Sequence, residues 1–374
     1  MKKRLLTIGL LLMCLVLAAC NAKDPKNLFE TTEGNTADTT AGTVSSLEIT
    51  EPRGESEAHE FDDSVMFEEG YQYGNMQKNV PPGGFMQFGN EVLFTPEISR
   101  LYVYNLTTGE VSPFCRDATC RHTSCAASRL SGNLEVYNGK IYSKSDNSQI
   151  IEIRDGEEVI QNNSEVRDFF HHNDKLYART HDSSLVVLNT DEDEPRVVIE
   201  EYTSYWNVIF GPYLYGNSSD NIVRFDITME DPKEEVIVSN GSGITDGQHI
   251  YYVDNQTNYL YCCNMDGSDV QLLLDKPVLL ASINFDNEYF YFRLYSTFPL
   301  YEGEESHDIY RLPKDNLFEV EKIATLPEAA YQIYTIPEAG KIFIRTITAD
   351  GENPPFYVCD ADGNNLTQLA IPEY

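Results

Sequence analysis

Basic residues are scarce in this chain. It has 27 Lys plus Arg against 60 Asp plus Glu, a formal net charge of −33 over 374 residues. Proteins that bind nucleic acid by neutralising phosphates carry basic stripes, so this balance excludes nucleic acid as a partner. Tryptophan occurs once, whereas there are 24 Tyr and 18 Phe. Because Tyr and Phe are enriched in strands, the composition favours a β protein.

The motifs of several enzyme classes are also missing. The sequence has no Gly-x-Ser-x-Gly elbow, no Walker loop, no glycine-rich dinucleotide turn and no repeated Asp-box motif. Carboxylates are abundant, but among 60 Asp plus Glu no pair can be singled out as a catalytic acid and base. We therefore predict no catalytic residue from the sequence, and the missing motifs favour a protein that is not an enzyme.

Long apolar runs are absent except at the amino terminus. Lys2, Lys3 and Arg4 precede a largely apolar run from Leu5 to Ala19. A run of about 15 residues is short for a membrane-spanning helix, which needs about 20, and is typical of a secretory signal peptide. We predict a signal peptide over residues 1–19 and a body that lies outside the membrane.

The apolar run ends in Leu17-Ala18-Ala19-Cys20, which resembles the lipobox of bacterial lipoproteins. The resemblance implies cleavage before Cys20 and lipid on the Cys20 thiol, which would anchor the protein to the outer face of the bacterial cell membrane. An ordinary signal peptide with a chance cysteine is the alternative. The membrane, reached through Cys20, is thus one expected partner.

The composition changes abruptly after the lipobox. Residues 20–63 are rich in Thr, Ser, Glu, Asp and Gly and have few large apolar side chains. Such a stretch cannot offset the entropy of ordering by burial, so it is predicted to be a flexible tether. Residues 64–83 form a transition segment that is a candidate for a closing strand.

A recurring unit fills residues 84–374. Each unit has a short apolar-aromatic strand, a polar gap, a second strand of alternating pattern, a turn and a third apolar strand. The first strands begin at Val92, Ile141, Leu176, Leu214, Ile250, Tyr289 and Ile342. Units of about 41 residues have the size of a four-stranded propeller blade. Because one blade cannot bury both faces of its sheet, we predict a single all-β domain, a seven-bladed β-propeller, with six or eight blades as alternatives.

Several units share a strand that ends in Ile-Tyr or Leu-Tyr and a later strand that runs into an Asp-Gly turn. Tyr259 to Gly267, followed by Val270 to Leu274, is an example. This pattern resembles the TolB-like propellers and is similar to propeller domains of bacterial lipoproteins related to the low-density-lipoprotein-receptor type. The resemblance implies the fold far more than a function, because propellers serve as enzymes, scaffolds and receptors.

Three cysteines and a histidine lie in the long connection of the first unit, in the order Cys115, Cys120, His122 and Cys125. The spacing resembles a cysteine-histidine signature of lipoproteins from Gram-positive anaerobes, although Ala118 stands where that signature commonly has proline. Three thiolates and one imidazole would supply a tetrahedral structural zinc site with no open position for catalysis. Because export favours oxidation, a disulfide that leaves one thiol over is the alternative, and reactive thiol chemistry is a third.

Other candidate residues have a structural interpretation. Cys263 and Cys359 occupy the same position in two units and are predicted to be buried thiols. The neighbouring Cys262 and Cys263 point to opposite faces of the sheet if the strand is regular, and a strained disulfide between them is the alternative. The Asp-Gly segments are predicted to be hairpin turns rather than calcium loops, because they lack the full series of oxygen ligands. The pair His171-His172 has no partner pattern around it, which predicts a structural or exposed role.

These observations favour a lipid-anchored, extracytoplasmic propeller that binds a protein, peptide or glycan at the cell surface. A hydrolase or lyase acting on cell-wall or extracellular polysaccharide is the alternative, and an envelope assembly scaffold is a third. No cofactor is expected apart from a structural zinc at the cysteine cluster.

Overall fold

The computed structural model describes most of the chain beyond residue 83. The described ranges are 84–96, 100–117, 119–120, 125–128, 130, 133–154, 157–162, 165–188, 195–295, 307–314, 316, 319–347 and 354–372. The predicted signal peptide with Cys20, the tether and the transition segment lie outside these residues, and so does His122.

Within the described ranges, 28 strands form seven four-stranded antiparallel sheets, and each sheet uses four consecutive strands. Blades 1 to 4 are, in chain order, β1 (Phe85–Phe88), β2 (Glu91–Phe94), β3 (Tyr102–Asn105), β4 (Val111–Pro113); β5 (Glu135–Tyr137), β6 (Lys140–Lys144), β7 (Ile150–Arg154), β8 (Glu157–Asn162); β9 (Val166–His172), β10 (Lys175–Thr180), β11 (Leu185–Val187), β12 (Arg196–Ile199); β13 (Tyr205–Phe210), β14 (Tyr213–Ser218), β15 (Asn221–Asp226), β16 (Glu235–Val238). Blades 5 to 7 are β17 (Gly241–Thr245), β18 (His249–Asp254), β19 (Tyr259–Asn264), β20 (Gln271–Pro277); β21 (Asn284–Phe285), β22 (Tyr289–Phe292), β23 (Asp308–Pro313), β24 (Glu321–Thr325); β25 (Ala329–Ile336), β26 (Lys341–Ile347), β27 (Phe356–Asp360), β28 (Thr367–Gln368). The predicted seven-bladed β-propeller is confirmed.

The first strand of each blade is the innermost one. First strands of neighbouring blades contact one another where β1 meets β5, where β21 meets β25 and where β25 meets β1. Fourth strands are the most exposed, and Val197 in β12, Val236 in β16 and Leu272 in β20 are 51%, 46% and 43% exposed. The sheets therefore radiate from a centre of buried first strands to a rim of fourth strands.

An aromatic cluster closes the ring between blades 7 and 1. Phe85 in β1 stacks on Phe343 in β26, with ring centroids 4.7 Å apart, and on Phe94 in β2 at 4.9 Å. Tyr334 and Phe356 complete the cluster, and none of the five side chains is more than 2% exposed. Burial of such a side chain contributes about 1.5–3 kcal/mol, so apolar packing holds these two blades together.

The predicted units begin one strand late relative to the blades. The strands predicted as the first of each unit are the second strands β2, β6, β10, β14, β18, β22 and β26. The innermost strand is missed because its buried residues are often small or polar, as in Gly241–Thr245 and Asn284–Phe285. Hydrophobic alternation, on which the prediction depends, is therefore weakest in the most buried strand of the blade.

In blades 5 and 6, the tyrosine at the third position of the second strand anchors the turn between first and second strands. In blade 5 the Tyr251 hydroxyl donates to Asp246 Oδ2 over 3.1 Å, while Asp246 Oδ1 accepts the backbone N–H of His249 at 2.8 Å. In blade 6 the Tyr291 hydroxyl donates to Asp286 Oδ2 at 2.6 Å in the same way. One carboxylate thus fixes both the turn and the start of the next strand.

The Asp-Gly turns lie between the third and fourth strands and join neighbouring blades. Gly363 has φ 82°, and a Cβ on it would lie 2.0 Å from the carbonyl oxygen of Ile323 in β24 of blade 6. Gly267 has the same φ, and its Cβ would lie 2.5 Å from the carbonyl oxygen of Ile237 in β16 of blade 4. Glycine recurs here because the turn of one blade presses on the fourth strand of the preceding blade.

Helical structure is slight in the part of the chain that the structure describes. Three-residue 3-10 turns occur at Ala126–Ser128, Leu280–Ser282 and Pro337–Ala339. No helix among these residues is long and apolar enough to cross a membrane.

Candidate functional site

The structure brings the three thiols of the predicted cysteine cluster together. Cys115, Cys120 and Cys125 lie in the connection between β4 of blade 1 and β5 of blade 2, and their Sγ atoms are all within 4.8 Å of one another. All three are half-buried, and none of the three forms a disulfide. His122, the fourth predicted ligand, lies outside the described residues.

Backbone contacts hold this connection against blade 1. The Leu101 N–H donates to the Ala127 carbonyl at 2.9 Å, and the Phe114 N–H donates to the Leu101 carbonyl at 3.0 Å. Cys115 and Cys125 pack against the apolar cluster between blades 1 and 2. The thiols are therefore positioned by the fold and not only by their spacing in the sequence.

The thiol cluster fits three corners of a tetrahedral metal site. With Zn–S bonds of about 2.3 Å, sulfur ligands stand about 3.8 Å apart, within the separation found here. Burial raises the pKa of the Cys115 thiol, and the neighbouring thiols of Cys120 and Cys125 raise it further, although the Asp117 backbone opposes them. A bound cation would favour the thiolates that this crowding disfavours.

A second group of polar side chains lies on or next to the innermost strands of blades 3 and 4 and on the second strands of blades 2 and 3. We call Lys144, Asp168, Arg179, Ser204 and Asn207 the inner polar cluster. Arg179 forms an ion pair with Asp168 Oδ2 and donates from Nη1 to the Ser204 carbonyl at 3.1 Å. Lys144 Nζ donates to the carbonyl of the residue before Asp168 at 2.9 Å. The cluster thus spans three blades.

Several atoms of the inner polar cluster are buried without a hydrogen-bond partner among the described residues. They are Asp168 Oδ1, Arg179 Nε, Ser204 Oγ and Asn207 Nδ2. Burial raises the pKa of Asp168 although Arg179 opposes it, and burial lowers the pKa of Lys144. Because buried polar groups in folded proteins are nearly always hydrogen-bonded, these atoms mark a place where water or a ligand completes the bonding.

A glycine makes room for the inner polar cluster. A Cβ on Gly216 in β14 would lie 2.7 Å from Asn207 Oδ1 and 3.0 Å from Ser204 Cβ. The Asn207 amide is held from the other side by the Tyr202 hydroxyl, which donates to Oδ1. The close approach of β14 at Gly216 therefore fixes the positions of the Ser204 and Asn207 side chains.

The predicted burial of Cys263 and Cys359 is confirmed. Cys262, Cys263 and Cys359 are buried free thiols. Burial raises the pKa of Cys262 to about 11 and that of Cys359 to about 12, so these thiols stay protonated and unreactive. Cys263 pairs with the second residue of β18 and Cys359 with the second residue of β26, which confirms that they occupy equivalent positions.

The sequence did not reveal the inner polar cluster. Its members are spread over residues 144 to 207, and none belongs to a local motif. Three of them lie in or just before the innermost strands, which the hydrophobic pattern misses. The only sequence signal is the basic residue at the fifth position of the second strands, Lys144 in blade 2 and Arg179 in blade 3.

No protein-family model matches the chain, and a comparison with curated proteins finds no significant match. Solved propeller structures resemble it in fold. A structure from the nidogen–laminin complex is 12% identical, with 62% of this chain and 92% of that chain covered and a TM-score of 0.41. PorZ of the Porphyromonas gingivalis type-IX secretion system is 13% identical over 77% of this chain and 38% of that chain, with a TM-score of 0.48. Virginiamycin B lyase from Staphylococcus aureus is 12% identical over 72% and 93%, with a TM-score of 0.45. These likenesses concern the fold alone.

Proposed function

We propose that the chain is a lipid-anchored, extracytoplasmic β-propeller that binds a protein, peptide or glycan at the surface of a bacterial cell. The observation that carries the binding role is the inner polar cluster, where Asp168, Ser204 and Asn207 each keep a buried polar atom without a partner among the described residues. An unmade hydrogen bond at a buried group costs about 1–3 kcal/mol, so a fold that retains three of them in one place is suited to a ligand that completes them.

The anchor is proposed from the lipobox-like ending at Cys20, together with the signal-like run of residues 1–19. Cys20→Ser should release the protein from the membrane fraction of cells that express the full chain, whereas Cys263→Ser should leave it there. Continued membrane association of Cys20→Ser would contradict the anchor, and it would leave the binding role to its own test.

The binding role is tested by crosslinking on intact cells. We expect the full chain to capture a cell-surface partner that the double variant Ser204→Ala with Asn207→Ala no longer captures. Asp275→Asn, an exposed carboxylate on β20, serves as the matched surface control. Equal capture by the double variant and the control would contradict a role for the inner polar cluster.

An enzyme is the second candidate, a hydrolase or lyase acting on cell-wall or extracellular polysaccharide. It is favoured by the Asp168 carboxyl, which is buried beside Arg179 and whose pKa burial raises, because carboxyls perturbed by burial and a charged partner are candidates for acid–base catalysis. Turnover of such a polysaccharide by the pure propeller, abolished in Asp168→Asn, would replace the binding proposal by this one.

We further propose a structural metal, a zinc ion, at Cys115, Cys120 and Cys125, with His122 as the fourth ligand. The support is that the Sγ atoms of these three cysteines lie within 4.8 Å of one another and form no disulfide. Metal analysis of the purified protein should find about one zinc per chain, and Cys120→Ser should lose it. A chain without metal whose mass and thiol count show a disulfide would establish the alternative.

A further inference from the structure

A cleft between blades 2 and 3 lies away from both sites described above, beside the turns that join first and second strands. Its volume is about 230 Å³, and its walls include Tyr137, Tyr142, His171, Lys140 and Asp174. Pockets for drug-sized ligands measure about 300–1,000 Å³, so this cleft suits a ligand of one small ring.

The imidazole of His171 is held in one orientation by a carboxylate from the neighbouring blade. Glu135 Oε2 lies 2.8 Å from His171 Nδ1, and Glu135 Oε1 accepts the backbone N–H of His171 at 3.0 Å. The side chains are only 1% and 7% exposed. Because the Glu135 carboxylate accepts a hydrogen bond from Nδ1–H, Nε2 is the ring atom that remains for hydrogen bonding to a ligand.

Two phenol rings enclose the His171 imidazole. The Tyr137 ring stacks on it at 4.7 Å with an interplanar angle of 11°, and the Tyr142 ring lies at 4.4 Å. Burial, with the nearby carboxylates of Glu152 and Glu135, raises the pKa of Tyr142 to about 12. Its hydroxyl therefore stays protonated at physiological pH and remains able to donate a hydrogen bond.

The face of blade 2 that forms one wall is set by strand register. Glu135 in β5 lies opposite Tyr142 in β6, and Tyr142 lies opposite Glu152 in β7. Lys140 begins β6 on the same face, and its Nζ lies 3.8 Å from Glu152 Oε2. Regular pairing of three strands thus assembles the wall from residues that are far apart in the sequence.

The rim of the cleft carries donors and acceptors in nearly balanced charge. Asn138 Nδ2 donates to Asp174 Oδ1 at 3.1 Å, and the Tyr137 hydroxyl accepts the Asp174 N–H at 2.9 Å. Gln161 adds an amide and Lys140 a cation, and the apolar side chains of Leu176 and Leu188 complete the lining. A ligand that fits must offer both hydroxyl donors and oxygen acceptors as well as apolar C–H faces.

We propose that this cleft binds a single neutral sugar unit, with His171 Nε2 and the Tyr142 hydroxyl as its central hydrogen-bonding groups and Glu135 as a positioning residue. A sugar ring combines hydroxyls that donate and accept with apolar faces that pack on aromatic rings. The proposal does not depend on the lipid anchor or on the inner polar cluster. Lys144, Asp168 and Arg179 of that cluster lie toward the opposite ends of β6, β9 and β10, and its other members belong to blade 4.

The test is a titration of the purified propeller with glucose, galactose and N-acetylglucosamine, followed by NMR of the histidine side chains. At least one sugar should shift the His171 resonances in a saturable way. The resonances of His181, which is exposed on the same blade but does not line the cleft, should stay unchanged. A parallel titration uses disaccharides whose terminal unit is glucose, galactose or N-acetylglucosamine. A response to disaccharides alone identifies a glycan end as the ligand, and a response to both admits a free sugar.

Variants separate binding from folding. His171→Gln should weaken sugar binding at least tenfold, whereas His181→Gln should not change it. Tyr142→Phe, which keeps the ring and its packing, should weaken binding about two- to tenfold, the effect of one lost hydrogen bond. The matched control Tyr177→Phe removes a hydroxyl at the same position of the second strand in blade 3 and should leave binding unchanged.

The role of Glu135 has a signature that a structural role would not produce. Glu135→Gln should change the balance of proton occupancy between Nδ1 and Nε2 of His171, read from ¹⁵N shifts, and should weaken binding. The proposal is overturned if no sugar or disaccharide shifts the His171 resonances of the folded protein. It is also overturned if only inorganic phosphate does so, or if both His171→Gln and Tyr142→Phe bind as tightly as the wild type.

Discussion

The contact between the Asp-Gly turn of blade 7 and blade 6 leads to a quantitative prediction. Gly363→Ala places a Cβ 2.0 Å from the Ile323 carbonyl oxygen at a residue with φ 82°. A side chain in the left-handed region costs about 1–2 kcal/mol. Forcing the two blades apart adds the cost of overpacking, about 1–3 kcal/mol. We expect a total loss of about 3 kcal/mol in the free energy of unfolding.

Gly340→Ala in the same blade is the matched control. Gly340 also has positive φ, 58°, but a Cβ there would meet nothing within 4 Å. Its substitution should therefore cost only the conformational part, about 1 kcal/mol. The difference between the two variants measures the contact between blades and excludes the intrinsic preference of glycine.

Thermal unfolding followed by calorimetry or circular dichroism is the assay. With about 2–4 °C for each kcal/mol in a large domain, Gly363→Ala should lower the Tm by about 6–12 °C and Gly340→Ala by about 2–4 °C. Equal losses in the two variants would refute the reasoning, because they would show that the turn does not bear on the neighbouring blade.

Two further predictions concern charge and metal. Burial opposes ionisation of Asp246, but the Lys314 ammonium at 2.9 Å and backbone N–H groups outweigh it and lower its pKa. The stability that Asp246 contributes is therefore present above the unfolded pKa of about 4 and is lost as the pH falls through the lower folded pKa. In Tm measurements across pH, Asp246→Asn should be less stable than the wild type at pH 7 and should converge with it as the pH falls through the lowered pKa of folded Asp246. Asp275→Asn should follow the wild type throughout, and a constant gap between Asp246→Asn and the wild type would contradict this account. If the proposed zinc site is occupied, treatment with a chelator should lower the Tm of the wild type and leave that of the Cys120→Ser variant unchanged. An equal loss in both would contradict a metal held by these thiols.

Much of the fold follows from the sequence, because second and third strands of a blade carry local signals. Their apolar pattern and the recurring Tyr are visible within ten residues, and the glycine of the Asp-Gly turn marks the hairpin that follows. The structure supplies the reasons for two of these signals. Tyr251 anchors the carboxylate of a turn, and Gly363 allows contact with the preceding blade.

The candidate sites follow from the sequence only where their residues are neighbours in the chain. Cys115, Cys120 and Cys125 lie within eleven residues, so their meeting could be predicted. His171 and Glu135 are 36 residues apart, and no local pattern connects them. Such pairs form because the first strand of one blade packs against the next, so the relevant separation is one blade and not one turn or strand.

Basic residues are few in this chain, but several of them share one position in the second strands. Lys144, Arg179, Arg293 and Arg345 all occupy the fifth position counted from the start of the second strand, in blades 2, 3, 6 and 7. Arg293 is fully buried, and burial lowers its pKa to about 10. Burial also lowers the pKa of Lys144 and Arg345.

Desolvating a cation is costly, so a fold with few cations would be expected to keep them at its surface. This chain places four of its 27 basic residues at one repeated position near its innermost strands. Arg179 at this position organises the inner polar cluster through Asp168 and the Ser204 carbonyl. The blades therefore share the position of a basic side chain as well as the same arrangement of strands. Four blades thus place a basic residue at equivalent points near the centre of the propeller. The composition does not indicate this pattern, because acidic residues are in large excess.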